Sequence, residues 1–129
     1  MEKDYDVWHR KKSRLNNIAK PPFFREREIW FCHLGANIGI EEDGRGSDFL
    51  RPAVIIRQFN HDASWVIPLT RKKGETRHYF ELLSDSRGPS FAILSQIRLI
   101  DARRLSYRIG VLSEEQFLKL KENLKALLP

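Results

Sequence analysis

Arg51-Pro52-Ala53-Val54-Ile55-Ile56 is a nearly continuous apolar run that opens on a proline, and its reading decides the fold. Proline has no N–H to give a ladder and is tolerated at the first residue of a strand. A short run rich in β-branched residues and bounded by turn formers reads as a strand. Working outward, the turn-prone Asn60-His61-Asp62 leads into Trp65-Val66-Ile67-Pro68-Leu69, a second such run that Thr70 closes. Upstream, Glu28-Ile29-Trp30-Phe31-Cys32-His33-Leu34 is dense in β-formers and stops at Gly35. Downstream, His78–Leu83 and Phe91–Leu94 are separated by Ser84-Asp85-Ser86-Arg87-Gly88-Pro89. Short strands divided by turn clusters predict a mainly β chain, a small barrel or sandwich.

Two helices are expected at its ends. Tyr5, Trp8, Leu15 and Ile18 share one helical face, Arg10, Lys11, Lys12 and Arg14 occupy the rest, and Pro21-Pro22 is the expected stop. Near the C-terminus, Ser113 with Gln116 three residues on forms a capping box, and Leu112 is placed to staple against Phe117. Phe117, Leu120, Leu124, Leu127 and Leu128 make an apolar stripe with Lys119, Lys121 and Lys125 outside it, so this helix should pack on the β-domain. Residues 1–22 are read as an amphipathic helix with a Pro-Pro linker, and 23–129 as the β-domain.

At 129 residues, 41% hydrophobic and 31% charged, the chain has the size and balance of one globular domain. It contains no apolar stretch of membrane-spanning length, and MEKDYDVWHRKKSR lacks the apolar segment of a signal peptide, so a cytoplasmic location away from membranes is expected. One cysteine, Cys32, excludes an internal disulfide and a Cys-rich zinc site. The net charge of +6 is unevenly distributed: residues 1–20, 71–77 and 98–108 each carry +3, whereas 41–48, EEDGRGSD, carries −3. Basic clusters of this kind fit a polyanion, since phosphates are held by Lys and Arg whatever the base sequence; ordinary solvated faces are the alternative.

Candidate chemistry gathers at strand ends. Arg51 follows the long segment 35–49, whose four glycines and four acids predict a mobile loop. Its guanidinium suits paired hydrogen bonds to a phosphate, or equally an ion pair with Glu41 or Asp48 that tethers the loop. Thr70 precedes the basic Arg71-Lys72-Lys73 and either donates to the same phosphate or caps the turn. His9, His33, His61 and His78 stand in no acid/base motif, and no His/Asp/Glu set has metal-ligand spacing, so no metal is expected.

The order of segments resembles the MazF/PemK family of toxin endoribonucleases. Its pattern runs E-I-W in a first strand, G-x-E in a loop, R-P before an apolar strand, P-l-T at a strand end, Q-i-R-x-x-D, R-L, R-I-G and a helix opened by L-S-E. Here these are Glu28-Ile29-Trp30, Gly39-Ile40-Glu41, Arg51-Pro52, Pro68-Leu69-Thr70, Gln96-Ile97-Arg98, Asp101, Arg104-Leu105, Arg108-Ile109-Gly110 and Leu112-Ser113-Glu114, over about residues 25–128. The resemblance implies an SH3-like barrel, usually a homodimer with a cognate antitoxin. Such a protein cuts single-stranded RNA without a metal or other cofactor, the ribose 2′-hydroxyl attacking the neighbouring phosphate. By motif, Arg51 carries over as phosphate stabiliser and proton donor, and Thr70 as hydrogen-bond partner of the scissile phosphate. Glu41, Gln96 and Arg98 match the motifs too, and with Arg71, Lys72 and Lys73 of the basic turn they are the expected RNA contacts. PemK-type members carry Arg and Asp where this chain has Ile93 and Ser95, and His where it has Ile40, so that branch's acid/base scheme does not transfer. The rival reading is a non-catalytic module on the same barrel, like the CcdB-like toxins that bind a topoisomerase, or an RNA-binding barrel without cleavage; fold alone does not decide between them. The Arg51/Thr70 pair is the discriminating feature.

Overall fold

The computed structural model describes residues 3–37, 44, 49–72, 78–85 and 88–129, with the backbone alone at 83–85. Helix α1 (Tyr5–Asn16) is followed by β1 (Glu28–His33), β2 (Leu50–Gln58), β3 (Ala63–Thr70), β4 (Tyr79–Asp85), β5 (Gly88–Ile93), β6 (Arg98–Asp101), β7 (Leu105–Val111) and α2 (Glu114–Lys125). The seven strands form one antiparallel sheet in the order β4-β5-β3-β2-β1-β7, with β6 also paired to β3. The chain is mainly β, as its sequence implies. Among the described residues no helix is long and apolar enough to cross a membrane.

The Arg51–Ile56 run reads as continuous because β2 is covered on both faces. Ala53 and Ile55 enter one core with Trp30, Cys32 and Val66, while Val54 and Ile56 enter a second with Ile67, Leu69 and Leu82. The strand thereby loses the alternation that one-sided burial would impose. β3 pairs with β2 along one edge and serves two partners on the other: residues 63–66 pair with β6, and Leu69 and Thr70 pair with β5. The sheet forks at Ile67-Pro68, where proline has no donor to continue a ladder. Among the described residues no ladder joins β4 to β7, so the expected barrel is open in its hydrogen bonding. Side chains bridge that gap instead, because Phe117 and Leu120 of α2 share a core with Leu82 of β4 and Leu112 beyond β7.

β6 and β7 had no strand signal in the sequence. β6 has four residues, and β7 buries Leu105 while leaving Ser106, Tyr107 and Arg108 exposed, too polar a pattern to stand out. The capping box holds: Ser113 Oγ accepts the Gln116 N–H at 3.1 Å. The α2 stripe is shorter than expected, since the helix stops at Lys125 and Leu128 is 73% exposed. Helix α1 also ends early, at Asn16 rather than at the prolines, its last turn tightened by Asn17 N–H to Arg14 O and Ile18 N–H to Leu15 O. Tyr5 and Ile18 are accordingly exposed, and Trp8 and Leu15 carry the packing, with Val7 beside them.

Trp8 seats against Phe49, ring centroids 5.3 Å apart, and over Gly35. Gly35 has φ +81°, and a Cβ there would overlap the Trp8 indole, so glycine is required twice over. Gly35→Ala should therefore lower stability by at least about 1 kcal/mol, read as a reduced urea midpoint. An unchanged midpoint would mean that the indole is not seated there.

A second constraint sits at Asp101. Its carboxylate accepts Nε and Nη2 of Arg103, each at 2.8 Å, and the Arg103 backbone N–H at 2.9 Å. The guanidinium hydrogen bonds, with the backbone N–H, hold Asp101 below the usual carboxylate range against the opposing effect of burial. A lowered folded-state pKa stabilises the fold above the unfolded value and ceases to do so as pH falls through the folded value. The stability gap between the wild type and Asp101→Asn should accordingly narrow in thermal melts taken from about pH 5 to about pH 2. A gap constant over that range would count against the pairing.

Candidate functional site

β2 and β3 pair antiparallel with Ala53 opposite Pro68. Carried two residues toward the strand ends, that register sets Arg51 opposite Thr70, so two motif residues nineteen positions apart in sequence meet across one ladder. Arg51 is buried, 7% exposed, and its Nη1 donates to Leu69 O at 3.2 Å. Thr70 Oγ1 accepts the Lys72 N–H at 3.3 Å. A hydroxyl that accepts retains its own O–H as a donor, so the turn-capping role and a ligand-facing role coexist.

Both residues line a cleft of about 390 Å³. Arg71, Lys72 and Ser90 complete its polar wall, and Ile29, Phe31, Leu50, Pro52, Leu69, Leu82, Ile109 and Leu112 make up the apolar remainder. Arg71 is tied down by Nη1, which donates to Gly88 O at 2.9 Å and Pro89 O at 3.0 Å, fastening the β3 end to the start of β5. Lys72 is exposed. The described lining thus contains cations and hydroxyls, without a carboxylate or an imidazole. In a partly apolar wall such a set attracts an anion and stabilises negative charge that develops on it.

Of the residues expected to touch RNA, Arg71 and Lys72 join Arg51 and Thr70. Gln96, in the 3-10 turn Leu94–Gln96, and Arg98, opposite Val66 at the start of β6, are not part of the cleft wall. Glu41 and Lys73 lie outside the described residues, as do Asp48, Ile40 and most of the loop 35–49. Ile93 is buried at the end of β5 and Ser95 is exposed in the turn that follows. No histidine lines the cleft: His9 is exposed on α1, His33 is buried at the end of β1, His61 lies in the β2–β3 turn, and His78 precedes β4. Cys32 is fully buried and its thiol is pushed up to about 12 by that burial, the opposite of an activated nucleophile. Among the described residues no group of three or more His, Cys, Asp or Glu is placed to hold a metal ion.

Phe31 and Ser90 were not singled out from the sequence. Alternation along β1 carries the signal for Phe31, because Ile29 and Phe31 share a face and both line the cleft. Phe31 also stacks on its cross-strand partner Tyr107, ring centroids 5.0 Å apart. Ser90 sits in a turn-like Gly-Pro-Ser segment that carries no such signal.

Solved structures of the same fold are MazF from Deinococcus radiodurans, at 14% identity and TM-score 0.63 over 84% of this chain and 96% of that one, and toxin MazF-mt6 of Mycobacterium tuberculosis, at 19% identity and TM-score 0.59 over 78% and 94%. A third is an endoribonuclease in complex with its cognate antitoxin from a mycobacterial species, at 13% identity and TM-score 0.60 over 83% and 98%. No curated protein matches the chain by sequence. Residues 25–128 match the family described as PemK-like, MazF-like toxin of type II toxin-antitoxin system. That span includes both strands that bring Arg51 to Thr70, and the chain belongs to this toxin family.

Proposed function

We propose that this chain is a toxin endoribonuclease that cuts single-stranded RNA by transesterification at the Arg51/Thr70 cleft. The observation that carries the reading is the cross-strand placement of Arg51 and Thr70 in a cleft walled by cations, hydroxyls and apolar side chains. In the proposed step the ribose 2′-oxygen bonds to the adjacent phosphorus and passes its proton to solvent water. The P–O5′ bond breaks, the 5′-oxygen takes a proton, and the products are a cyclic phosphate and a 5′-hydroxyl. Arg51 stabilises the charge gathering on the phosphoryl oxygens and serves as the proton donor to the leaving oxygen, while the Thr70 hydroxyl donates to the same phosphate. Phe31 and the aliphatic wall offer bases an apolar face. This chemistry needs no metal. A homodimer, cytoplasmic RNA as substrate and a protein antitoxin as inhibitor complete the reading, the last supported by the mycobacterial relative held by its antitoxin.

The test is incubation of pure protein with a long single-stranded RNA in the presence of a chelator, followed by analysis of the new ends. Cyclic-phosphate and 5′-hydroxyl ends are expected, and Arg51→Ala should slow cleavage by about two to three orders of magnitude. Thr70→Val, which keeps the side-chain shape, should cost roughly ten- to a hundredfold. Arg51→Ala cutting at the wild-type rate would sink the assignment. RNA bound but not cut by the wild type would transfer the chain to the non-catalytic reading.

A further inference from the structure

A second cavity, of about 150 Å³, lies where α1 meets the 3-10 turn Ala102–Arg104. Lys12, Asn16, Arg103 and Arg104 line it together with Asp101 and Leu15, three cations against one carboxylate. That carboxylate is already engaged by Nε and Nη2 of Arg103. Arg103 Nη1 donates to Asn16 O at 2.9 Å, which ties the turn to α1. Arg104 Nη1 donates to His33 O at 3.1 Å, and its guanidinium lies over the Trp8 ring, 5.5 Å from the centroid. Lys12 is exposed, and among the described residues no carboxylate pairs with it.

Three cations against one engaged carboxylate leave the cavity net positive, a setting that favours an anion. From Val7 to Asn17 the chain has no acid, yet Arg10 and Arg14 stand one turn apart, a like-charge spacing that destabilises a helix. Burial lowers the Arg104 pKa, and the neighbouring charge of Arg98 lowers it further. Arg104 is also tied to the strands that carry the cleft: its Nη1 donates to His33 O, His33 is opposite Leu50, and Leu50 lines the cleft beside Arg51. Lys12 lies outside residues 25–128, so the cavity is not part of the family's matched span alone.

We propose that this cavity is a phosphate site, filled by a backbone phosphate of the strand that lies in the Arg51 cleft. The proposal rests on the reading of the cleft as an RNA site. It gives α1 a role beyond packing: Lys12 extends the track of phosphate contacts, and Trp8 holds Arg104 in place to share it.

Lys12 is the residue to change, because it is exposed and, among the described residues, no ion pair holds it. Binding of a long labelled single-stranded RNA would be titrated across salt for the wild type and for Lys12→Ala, Lys12→Glu and Lys12→Arg, with melting temperatures confirming that each variant is folded. Lys12→Ala should weaken binding and lower the slope of log affinity against log salt by about 0.7, the value for one phosphate contact on a single strand. Lys12→Glu should weaken it further and Lys12→Arg should restore it. Inorganic phosphate, added alone to thermal melts, separates the sources. If it stabilises the wild type but RNA affinity and slope ignore Lys12, the cavity takes a free anion and the proposal falls. Equal affinities and slopes with no phosphate effect would make this a solvated surface and overturn the proposal as well. Lys12-dependent binding of RNA that is never cleaved would leave this site standing while removing the catalytic reading of the cleft.

Discussion

Burial of β2 on both faces is the constraint from which the rest of the molecule follows. A strand inside two cores can carry polarity only at its ends, and Arg51 stands at that boundary, with one donor satisfied by Leu69 O. The same ladder that buries the strand fixes what lies across from it. Arg51 therefore meets Thr70 through backbone register, a firmer means of placement than a loop would supply.

The family motifs divide by what they do. Glu28 of the E-I-W segment is buried, its Oε1 accepting the Arg25 N–H at 2.7 Å and Trp30 Nε1 at 3.1 Å, its Oε2 accepting Arg108 Nη1 at 3.0 Å. Two motifs eighty positions apart thus recognise each other and sew β1 to β7. Asp101 caps its own turn and grips Arg103, and Ser113 starts α2. Arg27, at φ +77°, directs Nε and Nη2 to Leu112 O and so joins the strand start to the helix start. These residues preserve an architecture. Arg51 and Thr70 are placed at the cleft, and the motif pattern by itself does not separate the two kinds.

Strands β1 to β5 were legible because each is an apolar run between turn formers, and α2 because its cap is written in side chains. β6 and β7 were not, for their pairing depends on backbone groups that polar sequence leaves unmarked. The ends of both helices were overestimated for one reason: a periodic apolar residue such as Ile18 or Leu128 extends the pattern without having anything to pack on. At the cleft, Arg51, Thr70, Arg71 and Lys72 could be named from motif and charge. Phe31 required knowledge of which face of β1 meets the cleft, and the Lys12 cavity joins a helix to a turn about ninety residues away, a contact that no local pattern encodes.

The floor of the cleft is made of core residues: Leu69, Leu82 and Leu112 line it and also belong to the cluster that α2 seals. Recognition and folding are consequently linked equilibria. A ligand seated on these leucines has its site only while α2 bridges the open edges of β4 and β7, so its binding free energy adds to the cost of lifting the helix. At a hundredfold excess over its dissociation constant that addition is about 2.7 kcal/mol. Occupancy should be readable far from any phosphate, as slower amide hydrogen exchange along α2 and β4. Any partner that fills this cleft would thereby act on the chain as a folding ligand and would prolong the life of the protein it occupies.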